Sequence, residues 1–341
     1  MLTFQHHAKN LGIAYLKRMI FKTSMLISFI GLGLAFIWGG FEALFLVLTL
    51  SILEIGLSFD NAILNAATLK QMNKLWQDRF LYWGILIAVF IVRLWLPVFM
   101  VALQSDQSMI AILMLALKEP QIYAEHINNT KPSLFSFGGI FLWLIFLDFL
   151  FHPSTKERWL KKLENQTARL GEGFPCTLIL GSIILGLRYY TAPTLEKTSV
   201  LYAGLIALSV FVGLKKLSHS IKGNRLGFSN HQMARFFYLE ILDASFSLDG
   251  VITAFVITQD LLIIFIGLSI GAVFVRSITI HLLKQAVLTQ YRYLEHGAHY
   301  ALGILAAVLL LDSYLHIPGW ITGILSISVI AYSFYASRTP P

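Results

Sequence analysis

Apolar residues fill this chain in long, nearly unbroken runs separated by short polar segments. The runs fall near 24–39, 43–67, 80–103, 134–151, 175–190, 198–214, 236–258, 261–283, 298–313 and 318–336. At roughly 16 to 25 residues, each is long enough, or nearly so, for a helix to cross a bilayer core. Helix is the expected element because lipid offers no partner to an exposed backbone N–H or C=O. The apolar piece 109–117 is too short to span and is expected to lie at the interface or to re-enter. The pattern therefore predicts an all-α polytopic membrane protein of about ten transmembrane helices, built as a single transmembrane domain over 1–341.

Composition and charge orient these spans. Hydrophobic residues make up 57% of the 341 and charged ones 13%, against about 25% charged in soluble domains, so the lipid bilayer is the main solvent. The formal charge of +8 does not form a basic face that nucleic acid would need. With the N-terminus inside, the inside segments hold 20 of the 26 Lys and Arg and the outside loops hold 4. That asymmetry places both termini in the cytoplasm. The remaining two, Arg93 and Arg276, lie within spans. Lys9, Lys17, Arg18 and Lys22 precede the first run, which no small-residue cleavage site follows, so that run is read as a retained span. Segment 154–170, with Lys156, Arg158, Lys161, Lys162 and Arg169, is expected to be a cytoplasmic helix on the membrane surface. The single cysteine, Cys176, can build neither a disulfide framework nor a thiolate metal site.

Landmarks recur in order along the two halves. Glu54, Ser58, Asp60 and Asn61 match Asp243, Ser247, Asp249 and Gly250; Gln77-Asp78 matches Gln259-Asp260; Gly84 and Arg93 match Gly267 and Arg276. Tyr123, Glu125 and His126 then match Tyr293, Glu295 and His296. Finally Gly139, Ile140, Asp148 and His152 match Gly303, Ile304, Asp312 and His316. The expected organisation is repeat 1 over 40–152 (spans 2–4), a linker over 153–234 with the surface helix and spans 5 and 6, and repeat 2 over 235–316 (spans 7–9). Five crossings separate the two copies, so they enter the membrane from opposite sides. Inverted three-helix repeats of this kind supply two equivalent faces for alternating access in secondary transporters.

Ionisable groups at bilayer depth are costly and mark function unless they are paired. Glu54, Asp60, Asp243 and Asp249 are the candidates, with Asn61, Ser58 and Ser247 beside them and Arg93 and Arg276 one helix along. On an ideal helix Glu54, Ser58, Asn61 and Asn65 share one stripe while Asp60 points about 100° from Asn61. An unwound backbone near Gly56–Asn61, and equivalently near Ser245–Gly250, would turn both acids to one cavity. Carboxylates, amides, hydroxyls and freed carbonyls are hard oxygen ligands suited to manganese, magnesium or calcium. Four carboxylates and two arginines leave a charge that a divalent cation cancels, and protons would be drawn to the site without it. Proton antiport is the resulting expectation. No tightly bound cofactor is expected, and HExxH and a cysteine nucleophile with a base are absent, so no enzyme activity is expected either.

Asp148 with His152, and Asp312 with His316, are four apart and fit helix-end pairs or a gate and relay. Glu125-His126 and Glu295-His296 are expected in loops on opposite sides, as solvated residues or as cation vestibules. Gln77-Asp78 and Gln259-Asp260 are expected to cap helix starts.

The segments Glu54-Ile-Gly-Leu-Ser-Phe-Asp60-Asn61-Ala and Asp243-Ala-Ser-Phe-Ser-Leu-Asp249-Gly resemble the TerC family of integral membrane proteins, named for tellurium resistance, and its larger uncharacterised branch. The resemblance covers roughly 40–150 and 230–315. It implies kinship with transporters that export manganese, other cations or lysine, an inner-membrane location in bacteria, and manganese as the transported ion. It also implies Glu54, Asp60, Asn61, Asp243 and Asp249 as ion-pathway positions. Gly250 and the two helices at 175–214 depart from the family pattern. An exporter of a small amino acid or metabolite, or a membrane scaffold in metal or tellurite stress, fits the same residues.

Overall fold

The computed structural model describes residues 2–105, 107–151, 158–169, 174–222, 228–284, 287–312, 315, 317 and 319–338. Every regular element among them is a helix, and they contain no strand. In chain order these are α1 (Leu2–Leu57), α2 (Phe59–Leu69), α3 (Lys74–Leu86), a π-helical stretch (Ile87–Trp95), α4 (Leu96–Ser105), α5 (Met109–Lys118) and α6 (Pro120–Phe151). There follow α7 (Lys161–Arg169), α8 (Phe174–Thr191), α9 (Lys197–Lys222), α10 (Phe228–Ile257), α11 (Leu261–Lys284), α12 (Val287–Gln290), α13 (Leu294–Leu311) and α14 (Gly319–Ala336).

Among the described residues, six stretches are long and apolar enough to cross a membrane: Ser24–Leu57, Lys74–Ser105, Pro120–Phe151, Lys197–Lys216, Leu261–Lys284 and Leu294–Leu311. Six is fewer than the ten expected spans. The first expected run and most of the second lie on α1, and α10 carries Glu240, Asp243 and Asp249 in its apolar length. Met109–Lys118 and Ile321–Ala336 are shorter apolar helices, so the piece near 109–117 is a separate ten-residue helix.

Two glycines divide α1. Gly39 (φ −144°, ψ 22°) leaves helical geometry, and Gly40 (φ 65°, ψ −148°) takes a conformation open essentially to glycine alone. The kink falls between the two apolar runs 24–39 and 43–67. Further on, the expected unwinding over Gly56–Asn61 contracts to Ser58 (φ −101°, ψ 15°), which separates α1 from α2. Even there Ser58 N–H donates to Glu54 O at 3.0 Å and Ser58 O accepts from Ala62 N at 3.1 Å. The equivalent break expected at Ser245–Gly250 does not occur, because α10 runs unbroken through it. An unbroken ladder leaves no backbone group unpaired in an apolar setting.

Lys74–Ser105 forms one apolar rod whose middle widens into the π-helical stretch. Pro97 follows directly. Its ring lacks an N–H and crowds the carbonyl four residues back, that of Arg93, which favours a wider turn just upstream. Asn73, rather than Gln77-Asp78, caps this rod, its side chain accepting from Trp76 N at 3.0 Å. Gln77 Nε2 instead donates to Leu69 O and Met72 O at the end of α2. Asp260 does cap α11, its Oδ1 accepting from Leu262 N and Ile263 N at 2.9 and 3.2 Å.

α6, α11 and α13 form the interior, with α1 laid along α11 and α13 packed on α6 and α14. α1 turns large apolar side chains outward, including Phe29, Ile37, Phe41 and Phe45, as a lipid-facing surface does. The α6–α13 crossing is reciprocal. A methyl carbon on Gly139 would lie 2.8 Å from Leu310, and one on Gly303 would lie 2.9 Å from Phe146. Both glycines thus admit a large side chain of the opposite helix.

Candidate functional site

Glu54 is 1% exposed at the end of α1. Its Oε1 pairs with Arg93 Nη2 and accepts from Ser58 Oγ at 3.0 Å. Arg93 Nη1 also donates to Ala88 O at 2.9 Å, within the π-helical stretch that carries it. Glu54 reaches its neighbours only because two facing residues are glycine: a methyl carbon on Gly271 would lie 2.5 Å from Glu54 Cβ, and one on Gly250 would lie 2.6 Å from Glu54 Oε2. The glycine at 250, which departs from the resembled pattern, therefore makes room for a carboxylate.

Asp243 on α10 is held between both halves. Its Oδ1 accepts from Asn61 Nδ2 of α2 at 2.5 Å, and its Oδ2 lies 3.8 Å from Arg276 Nη2 of α11. The Arg276 guanidinium stacks over the Phe80 ring with its Cζ 3.8 Å from the centroid. Each repeat-equivalent arginine thus serves the repeat-equivalent acid, Arg93 with Glu54 and Arg276 with Asp243.

Asp60 is different. It is 1% exposed, its Oδ1 accepts only from the backbone N–H of Asn61 at 2.9 Å, and its Oδ2 meets no hydrogen-bond partner among the described residues. No ion pair reaches it among those residues. Asn61 Oδ1, Asn65 Oδ1 and Ser247 Oγ are likewise buried without a partner. The side chain of Asp249 lies outside the described residues. Among the described residues no three His, Cys, Asp or Glu side chains group closely enough to hold a metal ion, so any ion here would draw on amide, hydroxyl or carbonyl oxygens beside a carboxylate.

The expected gate residues separate into several settings. Asp148 at the end of α6 pairs with Lys215 of α9 at 2.5 Å, and Asp312 after α13 pairs with Lys131 of α6 at 2.8 Å. Their expected partners His152 and His316 lie outside the described residues. Glu125-His126 and Glu295-His296 are not in loops: the first pair lies within α6, where Glu125 is exposed, and the second begins α13. Both sequences continue directly into long apolar helices, which absorb them. His296 is buried against Glu164 of α7 at 3.7 Å and edges onto Phe149. Glu295 and Asp148 line a cavity of about 260 Å³ with His299, Tyr238, Gln71 and Thr68.

Glu240 is the buried acid that the repeat pattern did not single out. It is 5% exposed, and neither carboxylate oxygen meets a hydrogen-bond donor among the described residues. The signal was an acid three residues before Asp243 in an apolar run, at a position where the other half has Ser51. Asn65 was legible as part of the Glu54–Ser58–Asn61 stripe, and His299 only as a member of an apolar helix.

Residues 59–339 match the family described as a protein of unknown function, DUF475. The chain belongs to the DUF475 family. No curated protein and no solved structure matches it. The match begins just after Glu54 and takes in Asp60, Asn61, Arg93, Glu240, Asp243 and Arg276, so most of the polar cluster lies within the DUF475 region.

Proposed function

We propose that this DUF475 protein is a multi-pass transporter of the bacterial inner membrane that exports a divalent cation, with manganese as the first choice of ion and protons as the exchanged species. The observation that carries this reading is the buried carboxylate of Asp60, which meets one backbone donor and no ion pair among the described residues, in a chain where Asn61 Oδ1 and Asn65 Oδ1 of the same helix and Ser247 Oγ of α10 are also buried without a partner among those residues. Buried acceptors with no donor call for a positive charge. Their hard oxygen chemistry fits manganese, magnesium or calcium, and the TerC resemblance favours manganese among these.

The charge balance agrees. Among the acids with described side chains, Glu54 and Asp243 face Arg93 and Arg276, which leaves Asp60 and Glu240 as the charges a divalent cation would neutralise. Reciprocal glycine contacts at the α6–α13 crossing and the matched acid–arginine pairs support the repeat reading. Arg93 is already hydrogen-bonded to Glu54, and Arg276 faces Asp243 at 3.8 Å, which weighs against a substrate carboxylate as their natural partner.

Purified protein in liposomes loaded with a manganese-sensitive dye tests the proposal. Wild type should move Mn²⁺ and respond to an imposed pH gradient, whereas Asp60→Asn should insert normally and move none. Equal flux through Asp60→Asn overturns the ion-site reading. Flux that ignores the pH gradient overturns the coupling alone, and lysine flux in place of Mn²⁺ favours the amino-acid exporter.

A further inference from the structure

Arg276 has two acids within reach and hydrogen-bonds neither. Its contact with Asp243 is long at 3.8 Å, and its Nη1 and Nη2 have no hydrogen-bond acceptor among the described residues. Glu240 lies on the same face of α10 one turn before Asp243, with both of its oxygens equally unsatisfied. The two groups meet at one notch. A methyl carbon on Gly84 of α3 would lie 2.6 Å from Glu240 Oε1 and 3.0 Å from Arg276 Nη2. Beneath the guanidinium, the Phe80 ring offers a flat face over which a cation can slide without losing its attraction.

The first half is closed at the same place. Ser51 stands where the second half has Glu240, and its hydroxyl is taken up by Val47 O at 2.7 Å and Gly267 O at 3.0 Å. Arg93 is fixed between Glu54 and Ala88 O. One half therefore holds its arginine firmly, while the other holds its arginine loosely between two carboxylates.

We infer that Arg276 is a partner switch, resting on Asp243 when the pathway holds no cation and moving to Glu240 when a divalent cation reaches Asp243. The inference rests on the cation-export reading. An arriving cation repels the guanidinium and competes for Asp243, and a buried arginine can leave an acid only if another counter-charge receives it. Glu240 is that receiver, a positioning residue that acts through Arg276 rather than on the ion. Return of Arg276 to Asp243 then expels the cation.

The test uses full-length protein, Mn²⁺ as the probe, and three variants. Glu240→Gln keeps the side-chain shape and removes the receiving charge, so Mn²⁺ binding should weaken and flux should fall. Gly84→Ala crowds both Glu240 Oε1 and Arg276 Nη2 at the notch where they meet, so it should block the transfer and lower flux by another route. In the double variant Glu240→Gln/Arg276→Gln, the competitor and its landing place are both gone, so Mn²⁺ binding should recover while flux stays lost. Wild-type flux in both Glu240→Gln and Gly84→Ala overturns the switch and leaves the cation reading intact. Binding that is lost in Glu240→Gln and not regained in the double variant overturns it too, by making Glu240 a ligand of the ion. A wild-type protein that neither binds nor moves Mn²⁺ brings down the cation reading, and the switch with it.

Discussion

Asp60 and Asp243 are both buried acids of one polar cluster, yet their surroundings predict opposite consequences for the same chemical change. Asp243 is tied to Asn61 and Arg276, whereas Asp60 has a single backbone donor and no ion pair among the described residues. Asp60→Asn removes an uncompensated buried charge and should leave thermal stability in detergent unchanged or raised while transport is lost, the trade expected where a site is kept strained for function. Asp243→Asn removes the carboxylate that accepts from Asn61 and faces Arg276, and should lower stability as well as transport. The Arg93–Glu54 pair makes the same argument more sharply. Arg93→Gln leaves Glu54 buried and unmatched, at a cost of about 3 to 5 kcal/mol, and adding Glu54→Gln should recover much of the loss in a double-mutant thermal-melt cycle. A cycle with no coupling would mean that the pair contributes nothing. The four acids and two arginines were legible in the sequence because ionisable residues stand out in apolar runs. Which acid each arginine serves was not, since pairing depends on how three helices cross. Glu240 escaped because its counterpart, Ser51, shares its position but not its charge.

Helices reveal where backbone and side chain trade constraints. The kink at Gly39–Gly40 could be placed from the gap between two apolar runs, because two adjacent glycines interrupt the hydrophobic pattern there. Gly40→Ala forces a side chain into a conformation that costs about 1 to 3 kcal/mol, and a lowered melting temperature should report it. Gly33→Ala serves as the control, because a methyl carbon there meets nothing within 4 Å. The straight α10 could not be read in this way. Symmetry suggested a break at Ser245–Gly250 to match the one at Ser58, but Gly250 turned out to be a close-approach residue rather than a breaker, with Glu54 Oε2 filling the space of its absent side chain. Gly250→Ala should therefore cost about 1 to 3 kcal/mol through overpacking. It should also disturb the Glu54–Arg93 pair, whereas a residue whose only role was to bend the helix would relax when replaced. Melting curves of Gly250→Ala alone and combined with Glu54→Gln separate the two, since the shorter-range clash persists in the combination while the ionic component does not.

At the scale of the molecule, residues expected on one side of the membrane gather at one end of the bundle. Arg235 contacts Gln71, and Asn73 N–H donates to Gln232 at 3.0 Å, all from segments placed in the cytoplasm by their lysine and arginine content. At the opposite end Trp38 Nε1 donates to Asp260 at 2.8 Å, joining two turns placed outside. Sequence alone could order these segments because charge asymmetry is read loop by loop. It could not say which loops touch. The two ends give a direct test of orientation. In a Cys176→Ser background, Gln71→Cys and Gln259→Cys each place a thiol at an exposed position, one at each end. A membrane-impermeant maleimide added to intact spheroplasts should label Gln259→Cys and spare Gln71→Cys, and inverted vesicles should show the reverse. Equal labelling of both from one side would place the two turns in the same compartment. The repeats would then be parallel, and the two-sided access that cation exchange requires would lose its structural basis.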